Sequence, residues 1–340
     1  MPTIKDIAAY TGVSPTTVSN VIHGRTAKVS EETKIKVEKA LKELNYHSHM
    51  AGRLLAKNGS RIIGVIFQED RVAQHNSDNP YLGEFVQAVE IAIKEAGYFM
   101  MFQRVASVDE GVKLVQMWDL EGIILAGTSP RDLSAWLEIA VPIVFVDMYP
   151  LNDEPILNIG VDDFQASYTM TNYLIACGHR EIAFLAFGSS CERWIGVEAV
   201  RAQGTKAALD EHQLAHHFIA VPRDPQKFPM FLQTFAEEQA GKISALFLSS
   251  DLLAAQAMSL LYKNNWRVPE DFSLVGFDGT LLSKLATPQI TTIYQDILKK
   301  AQQGIQLLLA EIAGQEIKTP LIQLETKLIE GASVKKLKNH

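Results

Sequence analysis

The stretch that decides the fold is Thr3–Asn20, TIKDIAAYTGVSPTTVSN, because it holds two helix starts in quick succession. Thr3 can cap a helix, with Asp6 favouring its positive end, and Ile4, Ile7 and Ala8 then share one face. Gly12 ends that helix. Ser14 caps the next, Pro15 fits the first helical position where no N–H is needed, and Val18, Val21 and Ile22 form an i, i+3, i+4 stripe. Ser30 opens a third helix, with Glu31 and Glu32 in its first turn and Ile35, Ala40, Leu41 and Leu44 expected to face inward. A second helix that is short, sharply started and polar outside suits entry into the DNA major groove, as in a helix-turn-helix. The competing reading is a plain three-helix bundle.

Charge favours the first reading. Residues 1–61 carry ten Lys and Arg against five acids, leaving +5 there and −12 in the remainder of a chain whose total is −7. A basic head on an acidic body places the polyanion at the head. The whole chain has 340 residues, 47% apolar and 21% charged, ordinary values for a globular protein of more than one domain. The start MPTIKDIAAY lacks the basic and apolar segments of a secretory signal, and no apolar run is long enough to span a bilayer, so no membrane partner and a cytoplasmic location are expected. Cys177 and Cys191, the only cysteines, give neither a metal spacing nor a disulfide framework and are expected to be packing thiols.

After Arg61 the pattern changes. Residues 62–67, 99–102, 122–125 and 143–146 read as buried parallel strands, and 182–187, 218–221, 245–248 and 273–276 as a second series, with helices between. Two tandem βα sheets imply two lobes and a cleft.

The segments TIKDIAAYTGVSPTTVSNVIHG, VSEETKIKVEKALKELNY and IIGVIF closely resemble the lactose/galactose repressor family of bacterial transcription regulators. So do NPYLGEF at 79–85, GHREIAF at 178–184, SSDLLA at 249–254, VPEDFSLVGFD at 268–278 and TPQITTIYQD at 287–296. The resemblance implies a small all-α helix-turn-helix head (residues 1–46), a hinge helix (47–61) and a two-lobed α/β body with parallel sheets, like a periplasmic binding protein (62–340). It places Pro15, Thr16 and Asn20 at the base-reading positions. Pro15 offers only apolar contact, whereas Asn pairs bidentately with adenine N6 and N7, so adenine is expected opposite Asn20. Thr3, Ser14, Thr17 and Ser19 are then candidates for the phosphates. Arg53 and Leu55 match the hinge, with Leu55 as a minor-groove wedge. Gly52 departs from the family's alanine and weakens that helix.

In the body the resemblance makes Gln68, Tyr81, Asp147, Arg201, Ser250 and Asp278 the effector-binding candidates, with Asp251 capping the helix after Ser250. Ala126, Pro225 and Ile297 stand where galactoside binders place polar or aromatic contacts, which points to a different sugar, a sugar phosphate or a nucleobase. The polar loop 69–78 reads as a solvated loop, with a lid as the alternative. The expected function is a repressor of a carbohydrate-utilisation operon, acting as a homodimer on a palindromic double-stranded DNA operator and controlled by a sugar or sugar derivative. After SVKKL there is no leucine heptad for a tetramerising coil. The alternatives are a purine- or phosphosugar-responsive regulator with a corepressor, and a sugar-binding protein without DNA readout. No dinucleotide, P-loop, nucleophile-elbow or zinc-protease motif occurs, so neither an enzyme nor a cofactor is expected. The HQLAHH run, His212–His217, lacks the pattern of a metal site.

Overall fold

The computed structural model describes residues 2–22, 24–46, 59–68 and 79–337, which fall into two compact units, Met1–Ser60 and Arg61–His340. In the first unit, α1 (Ile4–Thr11) begins with a reciprocal box: the Asp6 carboxylate accepts from the Thr3 N–H at 2.7 Å, and the Thr3 hydroxyl oxygen accepts from the Asp6 N–H at 3.3 Å. Gly12 ends it at φ 66°, a left-handed conformation that costs glycine little. The Ser14 hydroxyl accepts the Thr17 N–H at 3.1 Å to start α2 (Pro15–Ile22), and Ser30 caps α3 (Glu31–Glu43) from Thr33. Ile7, Ala8, Val18, Val21, Val37 and Ala40 form the core of this unit. Leu41 and Leu44 pack on that core, but Ile35, expected inside, is 60% exposed. On a 3.6-residue period the stripe through Val37, Ala40, Leu41 and Leu44 leaves Ile35 on the outer side.

The second unit alternates strands and helices. Its first half comprises β1 (Ile62–Gln68), α4 (Pro80–Glu95), β2 (Phe99–Val105), α5 (Val108–Trp118), β3 (Gly122–Ala126), α6 (Leu133–Leu137), β4 (Ile143–Val146) and β5 (Leu157–Val161). Then follow α7 (Asp163–Ala176), β6 (Ile182–Phe187), α8 (Val197–Glu211), β7 (His217–Val221), α9 (Phe228–Gln239), β8 (Ala245–Leu248), α10 (Asp251–Lys263), β9 (Ser273–Val275) and α11 (Leu281–Leu285). The chain closes with β10 (Thr292–Gln295), α12 (Ile297–Ile312), β11 (Leu321–Leu324) and β12 (Thr326–Ile329).

One parallel sheet runs β11-β5-β4-β3-β1-β2 and the other β7-β6-β8-β9, while β10 and β12 pair antiparallel. The central strands are buried on both faces, which is why they read as continuous apolar runs rather than alternating ones. The two lobes are not strictly in tandem, as the sequence suggested. Helix α12 packs on α4, and β11 pairs with β5, so residues 297–324 return to the first lobe, whereas α7 packs on α8 in the second. The chain therefore passes between lobes three times, at Asp162, Asp296 and Glu325. These three passages are the backbone connections about which the two lobes can bend.

Candidate functional site

Two aspartates mark the ends of strands in the two lobes. Asp147 follows β4 at φ 54°, and Asp278 lies just beyond β9 at φ 113°. Neither is glycine, so both pay backbone strain, which persists where surrounding structure over-determines it. Here the hinge strands do so: the Asp147 N–H donates to Ile159 O at 3.0 Å and the Asp278 N–H to Ile293 O at 2.8 Å. Both carboxylates are thereby aimed from the carboxyl ends of their strands, where open α/β sheets bind ligands.

Tyr81 and Lys300 join Asp147. Asn79 caps α4 by accepting the Tyr81 N–H, and the Tyr81 ring stacks on Phe85 with centroids 6.3 Å apart. The Tyr81 hydroxyl donates to Asp147 Oδ2 at 2.9 Å. Lys300, fully buried in the first turn of α12, donates to Asp147 Oδ1 and Oδ2 at 2.7 and 2.9 Å, to Gln295 Oε1 at 2.6 Å and to the Tyr81 oxygen at 3.2 Å. Gln295 in turn donates from Nε2 to Asp278 Oδ1 at 2.9 Å. A side-chain chain therefore runs Asp147–Lys300–Gln295–Asp278 over the hinge peptide at Asp296.

Arg201 approaches from α8. Its Nε donates to Asp163 Oδ1 at 2.7 Å, its Nη1 donates to Ser249 O, and its Nη2 lies 3.7 Å from Asp278 Oδ1. Its guanidinium carbon sits 3.5 Å from the Phe277 ring centroid, a cation–π contact. Asp163, fully buried at the start of α7, also accepts the Tyr149 hydroxyl at 2.5 Å. The helices can approach this closely because of Gly204: a Cβ there would stand 2.1 Å from Phe164 O. That oxygen is backbone and cannot swing aside.

Other candidates have different roles. Gln68 is held inside the first lobe, donating to Asp132 at 2.5 Å and accepting from Thr128 at 2.6 Å and from Trp136 Nε1 at 2.7 Å. Its amide is thus engaged with its own lobe. Ser250 is itself the cap of α10, accepting the Leu253 N–H at 3.2 Å. Asp251, expected to be that cap, instead accepts from the Thr280 N–H at 2.7 Å and the Thr292 hydroxyl at 2.6 Å, tying the Asp278–Thr280 turn to α10. A serine takes the cap because its backbone is extended, at φ −153°, whereas Asp251 is already helical. Among the DNA-facing candidates, Pro15 and Thr16 are exposed, and Ser19 and Asn20 are half-buried on α2. The hydroxyls of Thr3, Ser14 and Thr17 are already engaged in the caps. Arg53, Leu55, Gly52 and the 69–78 loop lie outside the described residues. His212, His216 and His217 face separate partners, Asn172, Asp210 and Glu181, and the described residues contain no metal-holding cluster.

Lys300, Gln295, Asp163 and Tyr149 were not among the sequence candidates. Lys300 did carry a signal, since it falls on the stripe Ile297, Ala301, Gly304, Ile305 and Leu308 that α12 buries. A lysine on an apolar stripe needs a buried acid.

Burial pushes the Asp278 carboxyl up to about 8 despite the opposing pull of Arg201, and burial also pushes Asp251 up to about 6. An acid raised in this way keeps its proton in the folded chain after the unfolded chain has lost it, so its contribution to stability declines as pH rises toward 8. Asp278→Asn cannot ionise and should therefore gain stability relative to the parent between pH 5 and 8, as read by urea unfolding. His179, pushed down to about 4 by burial, has the opposite sign but is common to both proteins and cancels. An equal gap at both pH values would contradict the assignment.

Residues 3–49 match the pattern of bacterial regulatory proteins of the lacI family, and residues 171–334 that of a periplasmic binding protein-like domain. The HTH-type transcriptional repressor PurR of Histophilus somni (strain 2336) is 30% identical over 351 residues, covering 99% of this chain and all of that protein. The NTD biosynthesis operon regulator NtdR of Bacillus subtilis is 29% identical over 97% of this chain and 98% of its own. Among solved structures, the Lac repressor dimer bound to operator and the anti-inducer ONPF superposes with a TM-score of 0.83 at 26% identity, covering 98% of this chain and 99% of that one. The regulator CelR in complex with cellobiose has the same fold, with a TM-score of 0.70 at 24% identity, covering 98% of this chain and 100% of that one. Head, body and near full-length similarity agree: the chain belongs to the lacI family of bacterial regulatory proteins, as a DNA-binding transcriptional repressor with an effector-binding body.

Proposed function

We propose that this repressor controls a carbohydrate-utilisation operon from the cytoplasm, as a homodimer whose two heads (residues 1–46) read the half-sites of a palindromic operator. The segment 47–61 links each head to the body, with Arg53 and Leu55 in the minor groove, and the body, 62–340, takes a polyhydroxylated small molecule in its cleft. The carrying observation is the pairing of Arg201 and Asp278 in the second lobe with Tyr81, Asp147 and Lys300 in the first, bridged by Gln295. Alternating donors and acceptors of this kind suit the hydroxyls of a sugar. The Tyr81 ring already faces Phe85, which favours a sugar over a sandwiched nucleobase. Lobe closure on the ligand would change the relation of the two heads in a dimer and hence operator affinity. Among the described residues, no helix is long and apolar enough to cross a membrane.

Base reading is assigned to Pro15, Thr16 and Asn20, with Thr3, Ser14, Thr17 and Ser19 toward the phosphates. Asn20→Ala should therefore lose about 1–3 kcal/mol of discrimination at one symmetry-related base pair, where the parent prefers adenine. Fluorescence anisotropy on single-substitution operators checks this. A variant with the parent's preference at every position would remove Asn20 from the reading set.

A further inference from the structure

Two of the three passages between the lobes carry a side-chain brace. At Asp162 the brace is Tyr149, which stands in the first lobe between β4 and β5. Its hydroxyl donates to Asp163 Oδ2 at 2.5 Å on the far side of the passage and lies 3.0 Å from Val161 O on the near side. At Asp296 the brace is Lys300 with Gln295: the lysine holds Asp147 and donates to Gln295 at 2.6 Å, and Gln295 donates to Asp278 of the second lobe at 2.9 Å. Asp163, Lys300, Gln295 and Asp278 are all buried. A hydrogen bond tolerates little change of length or angle, and a buried polar group parted from its partner costs about 1–3 kcal/mol. Bending at either passage would part these groups. Away from the passages the lobes meet again, in two loops at the carboxyl ends of strands. Pro130 follows β3 in the first lobe and Gly196 precedes α8 in the second, and a Cβ at Gly196 would lie 3.9 Å from Pro130 Cγ.

We propose that Tyr149 and the Lys300–Gln295 pair form a latch that holds the lobes closed through the chain's own side chains, before any effector takes part. This rests on the reading of the body as an effector clamp and adds where its balance between open and closed is set. A closed form that is already populated lowers the cost a ligand meets in closing the lobes. The latch also joins closure to Arg201. Asp163 and Asp278, on which the two braces end, are the acids that flank its guanidinium at 2.7 and 3.7 Å. A change of lobe angle therefore pulls on the arginine's supports from two sides.

The test is a pulsed electron spin resonance distance measurement on the full-length protein with no sugar added. Spin labels are placed at Lys113→Cys on α5 and Thr234→Cys on α9, both exposed positions, in a Cys191→Ser background that leaves only the buried Cys177. Mixing with excess unlabelled protein confines the reading to distances within one chain. With the latch intact the expected result is a single narrow distance. Tyr149→Phe/Gln295→Met should add a second, displaced population, because losing a hydrogen bond to a charged group lowers the closed-to-open ratio by roughly tenfold or more. Tyr149→Phe alone, which keeps the ring and loses one hydroxyl, should show the same population in smaller proportion. Circular dichroism matching that of the parent establishes that each variant is folded. The proposal is overturned if the chain with an intact latch already gives a broad or two-peaked distribution, or if the folded variants reproduce its single distance. Either result leaves the effector reading standing, since that reading fails on a different observation: no saturable binding by any of a panel of neutral and phosphorylated sugars in titration calorimetry.

Discussion

Arg201→Met is expected to lower the unfolding free energy of the body by about 3–5 kcal/mol, the usual cost of removing one member of a buried ion pair. The partner left behind is Asp163, fully buried and then held, among the described residues, by the Tyr149 hydroxyl. Burial already pushes the Asp163 carboxyl upward, and Arg201 is the strongest opposing influence. Without that cation the acid must take up a proton or draw water into a packed helix junction. The Ser249 carbonyl also loses its donor, and the Phe277 face loses its cation. Urea unfolding of parent, single variants and the double variant Asp163→Asn/Arg201→Met reads the effect, and the double variant should lose clearly less than the sum of the singles. A loss under about 1 kcal/mol for Arg201→Met would show that the pair does not organise the α7–α8 junction.

Lys300→Met should cost toward the lower end of about 3–5 kcal/mol by the same mechanism. The reason for the lower value is that the Asp147 side chain is 17% exposed and recovers some hydration, whereas Asp163 has none. Met fills the lysine's stem volume, so the loss reports the charge and its four contacts rather than a cavity. Adding Asp147→Asn removes the orphaned carboxylate and should restore part of the stability. The functional consequence is as informative. Lys300 reaches back over the Asp296 hinge to Gln295, so its loss frees Gln295 and loosens the link to Asp278. Denaturant titrations with and without Asp147→Asn check the prediction; equal losses for Lys300→Met alone and for the pair would rule out the ion pair as the cause.

The head was largely legible because its elements are local. Caps at Thr3, Ser14 and Ser30, the Gly12 terminator and the Val18–Val21 stripe are short-range chemistry, and each stands where the spacing placed it. Ile35 misled because its identity suggested a core position that helical phase denies it. In the body, apolar runs located eight strands, β1–β4 and β6–β9, within two or three residues at their ends. The strands β5, β10, β11 and β12 were missed, and with them the exchange of segments between lobes. Their sequences mix polar residues such as Asn158, Tyr294, Gln323 and Lys327 among the apolar ones, and they flank the passages between lobes at Asp162, Asp296 and Glu325. For the site, strand-end position pointed to Asp147 and Asp278, and motif context to Arg201. The partners that neutralise them, Lys300 and Asp163, come from helices distant in sequence, and only folding shows which acid meets which base.

The measurement that tests the central claim most directly is selection of random duplexes by the purified full-length protein at fixed, near-physiological salt, followed by affinities at 50 and 200 mM. The expected result is enrichment of one palindrome, with adenine facing Asn20 in each half-site. Its affinity should fall by roughly 10³-fold or more between the two salt concentrations, as counterions released from several phosphates require. Binding with no enriched sequence, or with affinity indifferent to salt, would contradict the account of a base-reading head under the control of the cleft.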